Sequence, residues 1–176
     1  MNKIFISKYK SPFGELIVGS YDNTLCLCDW RYRKMRSAID NRMKSELKSE
    51  FADGCSVVIT ETIAQLDAYF AGERNEFDLP VHLVGTDFQK QVWNALIQIP
   101  FGKTLSYSAL SEKLNNPGAI RAVASANGAN AISIIVPCHR VIGADGSLTG
   151  YAGGLPAKKK LLMLEGAFLT EQMELF

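Results

Sequence analysis

The apolar residues of this chain change period partway along its length, and that change limits the possible folds more than any single motif does. In residues 3–9, 15–20 and Thr24–Trp30 the sequence reads as strands, with Ile4 and Ile6 alternating with polar neighbours. A period of two buries one face of a sheet. Turn residues at Ser11-Pro12-Phe13-Gly14 and Tyr21-Asp22-Asn23 join these runs into antiparallel hairpins. Residues 31–48 are charged with weak helical spacing, and residues 57–59 are short and β-branched. From Thr60 the spacing is helical, through Ile63, Leu66, Tyr69 and Phe70 to a stop at Gly72. Residues 73–85, with Pro80 and Gly85 and no period, read as a linker.

The second half is helical and well punctuated. Thr86 and Gln89 form a capping box before the stripe Phe88, Val92, Leu96, Ile99, which Pro100 ends. Thr104-Leu105 is extended, and Ser106 caps a helix carrying Tyr107, Leu110 and Leu114. After Asn116-Pro117-Gly118, a third helix at 119–127 ends at Gly128. Two short helices joined by a Gly-containing turn suggest helix-turn-helix. The expected fold class is α+β. It has a small N-terminal α/β domain at 1–80, with a three-stranded antiparallel sheet plus helices, and a C-terminal winged helix-turn-helix-like α domain at 86–168.

With 47% apolar and 21% charged residues the chain builds a packed core, which excludes a disordered or fibrous protein. No apolar run approaches the ~18 residues of a membrane span, and the N-terminus lacks the pattern of a secretory signal. A cytoplasmic location is expected, and Cys26, Cys28, Cys55 and Cys138 are read as free thiols. Cys26 and Cys28 share a strand face, but Cys55, His82, Cys138 and His139 supply no second zinc knuckle, so no metal is expected. Charge is uneven. Between residues 88 and 160, eight basic residues (Lys90, Lys103, Lys113, Arg121, Arg140, Lys158, Lys159, Lys160) face only Glu112 and Asp145. Such a segment suits a polyanion met on one face, or is a solvated surface. The helix at 119–127 has Arg121 as its one charge among small residues, which lets a backbone approach a surface closely or pack tightly on another helix.

One segment carries reactive groups. The apolar run 132–136 reads as a buried strand leading into Pro137-Cys138-His139-Arg140. A thiol beside an imidazole and a guanidinium is a candidate nucleophile, because the thiolate is the reactive form and needs a base or cation to form near neutrality. Glycines 143, 146, 150, 153 and 154 surround Tyr151 in a loop that can approach a ligand closely. The last helix starts at Pro156, and Lys158-Lys159-Lys160 near its start suggests either a phosphate contact or a solvated turn.

These residues resemble the O6-alkylguanine-DNA alkyltransferase family, also called methylated-DNA–protein-cysteine methyltransferases. Ile-Val-Pro-Cys-His-Arg-Val-Ile at 135–142 is the most specific match. It is supported by Ile99-Pro100-Phe101-Gly102, Ser106-Tyr107, Arg121-Ala122-Val123, Ala126-Asn127-Gly128 and Gly150-Tyr151-Ala152-Gly153-Gly154. The resemblance implies stoichiometric, single-turnover transfer of an alkyl group from O6-alkylguanine in DNA, and possible action on O4-alkylthymine, with Cys138 as acceptor. It implies His139 as a base acting through water, Glu165 as its orienting partner, Asn130 as a brace and Tyr107 as a donor to guanine N3. It implies DNA contacts from Arg121, Tyr107, Ala122, Ala126, Asn127 and Gly128 in the minor groove. A pocket is implied at Val141, Tyr151, Ala152 and Gly153. Neither cofactor nor metal is implied, and a monomer is expected. Ala131, Ala124 and Ala152 depart from residues the family often carries there, namely Pro, Gly and Ser. A DNA-binding module without chemistry would not need Cys138. A cysteine hydrolase using Cys138, His139 and Asn130 would need an oxyanion hole that no motif supplies.

Overall fold

A computed structural model describes residues 2–168. The chain divides into two compact units, Met1–Gly85 and Thr86–Phe176.

In the first unit, β1 (Lys3–Ser11), β2 (Gly14–Tyr21), β3 (Thr24–Trp30) and β4 (Glu50–Asp53) form one sheet in the order β3-β2-β1-β4. The expected hairpins are present, with Tyr9 opposite Leu16 and Val18 opposite Cys28. Asp22 and Asn23 both take positive φ, 49° and 60°, the geometry that matches a two-residue turn to the strand twist. The expected three-stranded antiparallel sheet is corrected to four strands, because β4 joins β1 in parallel, Ile4 opposite Phe51. A parallel partner must arrive by crossover, here helix α1 (Arg36–Leu47). Residues 57–59 are the first turn of helix α2 (Val57–Phe70), whose N-cap Ser56 accepts the Ile59 N–H. β-Branching at 57–59 describes burial of Val58 and Ile59, not a strand. α2 packs on β1, β2 and β3, and its Ile59, Leu66 and Tyr69 are buried, as are Ile4, Leu16 and Val18 of the sheet.

The segment read as a linker is partly pinned to this unit. Leu25 N–H donates to Pro80 O (2.7 Å) and His82 N–H to Leu25 O (2.8 Å), so residues 80–82 cover the open edge of β3. Gln65 exchanges two hydrogen bonds with the Asp78 backbone. Beneath the sheet end, buried Asp29 accepts from Arg33 (3.1 Å) and Arg36 (3.0 Å). Cys26 and Cys28 are buried strand residues, and burial pushes the Cys26 thiol up to about 12 and the Cys28 thiol higher still.

In the second unit, helix α3 (Asp87–Ile97) opens on the expected capping box, with reciprocal bonds of 2.9 and 3.2 Å between Thr86 and Gln89. Strand β5 (Leu105–Ser106) leads directly into helix α4 (Tyr107–Lys113), capped by Ser106, whose hydroxyl accepts from Ala109 N–H at 3.1 Å. Helix α5 (Ile120–Gly128) packs against α3 and α4. The Trp93 indole N–H donates to Ala126 O (2.8 Å), tying α3 to α5. Gly128 lies within α5, which is capped by Ala129 instead. Strand β6 (Val141–Ile142) pairs in parallel with β5, and helix α6 (Leu155–Leu164) follows the glycine-rich loop, starting one residue before Pro156.

The expected strand at 132–136 does not form. This stretch is an irregular turn in which Ile134 takes a φ of 73°, a conformation a β-branched residue rarely adopts. Residues 132–134 and 136 are buried, so the apolar run records burial, which a turn deep in the core requires as much as a strand does. Asn130 holds it by accepting from Ile132 N–H (2.9 Å) and donating to Val136 O (2.8 Å).

Candidate active site

The turn braced by Asn130 ends in a short 3-10 helix, Cys138–Arg140, with Pro137 before it. Cys138, His139 and Arg140 are all buried. α6 packs against this turn from below and supplies Glu165 at its C-terminal end. The His139 Nε2 lies 2.8 Å from Glu165 Oε1. Arg140 donates from Nε and Nη2 to both carboxylate oxygens, each at 2.9 Å, and from Nη1 to Ile99 O at 2.6 Å. Gly102 makes room for this carboxylate's backbone. Its φ is 78°, and a Cβ there would stand 3.0 Å from Glu165 O.

These contacts fix the protonation states. Burial alone would push the Glu165 carboxyl up. The hydrogen bond from His139 and the bonds and charge of Arg140 outweigh it and hold the group at about 2, so Glu165 is ionised. Complete burial pushes the His139 imidazole down. The Glu165 carboxylate opposes this, but Arg140 and Lys158 reinforce it, and the ring is neutral near neutrality. An ionised Glu165 can only accept, so Nε2 carries the proton and Nδ1 keeps its lone pair. His139 Nδ1 is buried and without a hydrogen-bond partner in the structure. It is therefore a basic nitrogen next in sequence to Cys138.

Lys158, expected at a phosphate contact or in a solvated turn, stands in neither place. It is fully buried, and its Nζ donates to Val141 O (2.6 Å), Thr149 O (2.8 Å) and Gly150 O (3.4 Å). Burial pushes its pKa down to about 8, opposed by nearby Cys138. Lys158 thus ties β6 and the glycine-rich loop to α6. In that loop Tyr151 stands edge-on to the His139 ring, centroids 6.4 Å apart, while Ala152 and Gly153 are half-buried beside it. Val141 is buried and starts β6.

Tyr107 begins α4 and is half-buried. Burial raises its hydroxyl pKa, with the nearby Cys138 adding to the rise and the polar side chains of Thr149 and Asn127 partly opposing it. The outer face of α5 presents Arg121, Ala122, Ser125 and Gly128, all exposed. Ala126 and Asn127, expected from the resemblance to contact DNA, are buried. Arg140, bound to Glu165, and Lys158, bound to the Val141 carbonyl, are not among the site residues expected from the resemblance. Lys158, Leu161, Leu162 and Glu165 fall at i, i+3, i+4 and i+7, the spacing of a buried helix face, so the signal for Lys158 was present. Among the described residues no three His, Cys, Asp or Glu side chains cluster as a metal site. No described helix is long and apolar enough to cross a membrane.

A two-unit α+β chain whose helical unit holds a buried Cys-His pair on a carboxylate, beside a helix of small residues and one arginine, defines a thiol-bearing protein of the helix-turn-helix type. Comparison with known proteins agrees in detail. Residues 87–167 match the DNA binding domain of 6-O-methylguanine DNA methyltransferase, and residues 4–83 match its ribonuclease-like domain. A methylated-DNA–protein-cysteine methyltransferase of Methanosarcina acetivorans is 42% identical over 93% of this chain and 99% of its own. That of Mycobacterium tuberculosis is 55% identical over 65% of this chain and 69% of its own. The crystal structure of Mycobacterium tuberculosis OGT in complex with DNA superposes with a TM-score of 0.79 at 39% identity, covering 98% of this chain and 99% of that one. The chain belongs to the 6-O-methylguanine DNA methyltransferase family.

Proposed function

We propose that the chain repairs O6-alkylguanine in DNA by moving the alkyl group irreversibly onto Cys138. It acts as a monomer, in the cytoplasm, with the lesion presented from the minor groove. The observation that carries this reading is the neutral His139, protonated at Nε2 by its bond to Glu165 and bearing an unpartnered Nδ1. That nitrogen takes the Cys138 proton through a bridging water. The sulfur then attacks the alkyl carbon in line. A C–S bond forms as the C–O6 bond breaks, and the electron pair passes to the guanine oxygen. Tyr107 gives its proton to N3 and regains one from the thiol by way of His139 and water. Thiol and alkylguanine become thioether and guanine with every atom accounted for. No co-reactant is consumed, and nothing regenerates the thiol, so each chain acts once.

The lesion is out of reach inside a stacked duplex, and its extrusion costs a few kcal/mol. Arg121, exposed on α5 among Ala122, Ser125 and Gly128, fills the vacated space, and the small residues let the helix backbone approach the groove. Val141, Tyr151, Ala152 and Gly153 line the pocket around the everted base, and Asn130 keeps the Cys138 turn in place. Changing Cys138→Ala tests the reading. The variant is expected to bind a duplex containing O6-methylguanine as tightly as the parent and to leave the lesion intact. Transfer by C138A, or loss of binding with it, would contradict the assignment.

A further inference from the structure

The turn that carries Cys138 and His139 ends on a buried guanidinium, and all three of its nitrogens are engaged. Arg140 Nε donates to Glu165 Oε2 and Nη2 to Oε1, each at 2.9 Å, so a planar fork meets a planar carboxylate. Nη1 donates to Ile99 O at 2.6 Å, and Cζ lies 5.9 Å from the centre of the Phe101 ring. The segment after α3 therefore anchors the fork. It also borders the main chain of Glu165, because a Cβ on Gly102 would stand 3.0 Å from Glu165 O. The end of α3, the Cys138 turn and the end of α6 meet at this one side chain.

A fork supplies more than charge. Two parallel bonds set the plane of a carboxylate, whereas a single bond leaves it free to turn. In the plane set by Arg140, Oε1 is shared, 2.9 Å from Nη2 and 2.8 Å from His139 Nε2. An ionised oxygen only accepts, so the ring nitrogen that faces it carries the proton. A neutral imidazole has one proton to place, and Nδ1 is left bare, buried and without a hydrogen-bond partner in the structure. We propose that Arg140 is a positioning residue for the transfer, whose fork fixes the plane of the Glu165 carboxylate and thereby holds His139 in the tautomer that leaves Nδ1 as the base. This rests on the reading of His139 as the base for Cys138 given above. Lysine at this position would supply the charge as a point without the plane, which lets experiment separate the two.

The test uses the full-length protein with 15N-labelled histidine. The chain has two histidines, and His82, in the first unit, serves as the reference. Without DNA, ring-nitrogen shifts are expected to show His139 protonated at Nε2 and bare at Nδ1 in the parent, and a mixture of both tautomers in Arg140→Lys. Transfer from a duplex with a single O6-methylguanine, read under single-turnover conditions, is expected to be about tenfold slower in R140K, the scale of one charge-assisted hydrogen bond. Duplex affinity is expected to stay at the parental level. In a Glu165→Gln background R140K is expected to add nothing, since the carboxylate it orients is gone. The parental tautomer in R140K, or the same loss of rate with and without the carboxylate, would overturn the proposal. An R140K chain that no longer folds and binds the duplex would also overturn it, reducing Arg140 to a structural anchor for Ile99. His139→Ala transferring as fast as the parent would overturn the base reading instead, a result on which the ring shifts of R140K do not depend.

Discussion

At the scale of single residues, the site depends on His139 being neutral while fully buried next to two cations. An imidazole whose pKa is pushed below the ordinary 6.5 stays a base through mildly acidic solution. The transfer rate is therefore expected to hold level as pH falls to 6.5 and to drop only below it, measured by single-turnover transfer across a buffer series. A break centred on 6.5 would show that the ring titrates as if exposed. Glu165 carries a second dependence, on stability rather than rate and at lower pH. Its carboxyl ionises near 2 in the folded chain against 4.5 ordinarily, so the folded state holds the proton less tightly than the unfolded one. The resulting stability is present above pH 4.5 and is lost as pH falls from there toward 2. At about 1.4 kcal/mol per unit it amounts to roughly 3 kcal/mol. Glu165→Gln is expected to be less stable than the parent near neutrality, with the gap closing as the solution is acidified below 4.5, as followed by urea unfolding. A gap that stays constant with pH would mean that packing, not the carboxylate charge, is what the glutamate provides.

At the scale of elements, α5 and α6 show what a sequence reveals and what it conceals. The exposed edge of α5 was legible, because Arg121 stands alone among small residues. Its buried edge was not, since Ala126 and Asn127 look the same on either side of a helix of such composition. In α6 the run Lys158-Lys159-Lys160 suggested surface, and only the i, i+3, i+4, i+7 spacing with Leu161, Leu162 and Glu165 betrays that the first lysine points inward. The hairpins of β1–β3 were legible because strict alternation and Asp22-Asn23 determine them locally. β4 was not, because four residues with no alternation acquire their strand geometry from β1, a partner more than forty positions away. The turn at 132–136 is not distinguishable from a strand in the sequence for a related reason, since burial in a turn and burial in a strand leave the same apolar record. Cys138 and His139 were identified from their motif. The Arg140 bridge that sets the charge of Glu165 became visible only with the fold. Two predictions belong at this scale. Arg121→Ala is expected to slow transfer from duplex DNA much more than reaction with free O6-benzylguanine, because only the duplex demands base extrusion; equal losses on both would remove that role from α5. Asp29→Asn is expected to destabilise the first unit by about 3–5 kcal/mol, because Arg33 would stay buried without its carboxylate, whereas half-buried Arg36 keeps Asp40. A melting curve that coincides with the parent's would show that the Arg33 guanidinium finds water instead.

At the scale of the whole molecule, charge and chemistry lie in the same half of the chain. The unit Thr86–Phe176 holds the Cys138 turn and the exposed cations Lys103, Lys113, Arg121 and Lys160, so the surface that attracts a polyanion and the thiol that receives the alkyl group belong to one body. An inert thioether on a buried sulfur leaves no route back to the thiol. The most direct measurement is a titration of the protein with excess duplex carrying O6-methylguanine, followed by intact-mass and peptide-level mass analysis. The account predicts that uptake saturates at one methyl per chain, all of it on the peptide bearing Cys138, with unmodified guanine left in the DNA. Methyl found on another residue, more lesions lost than chains present, or lesions removed without any gain in protein mass would contradict it.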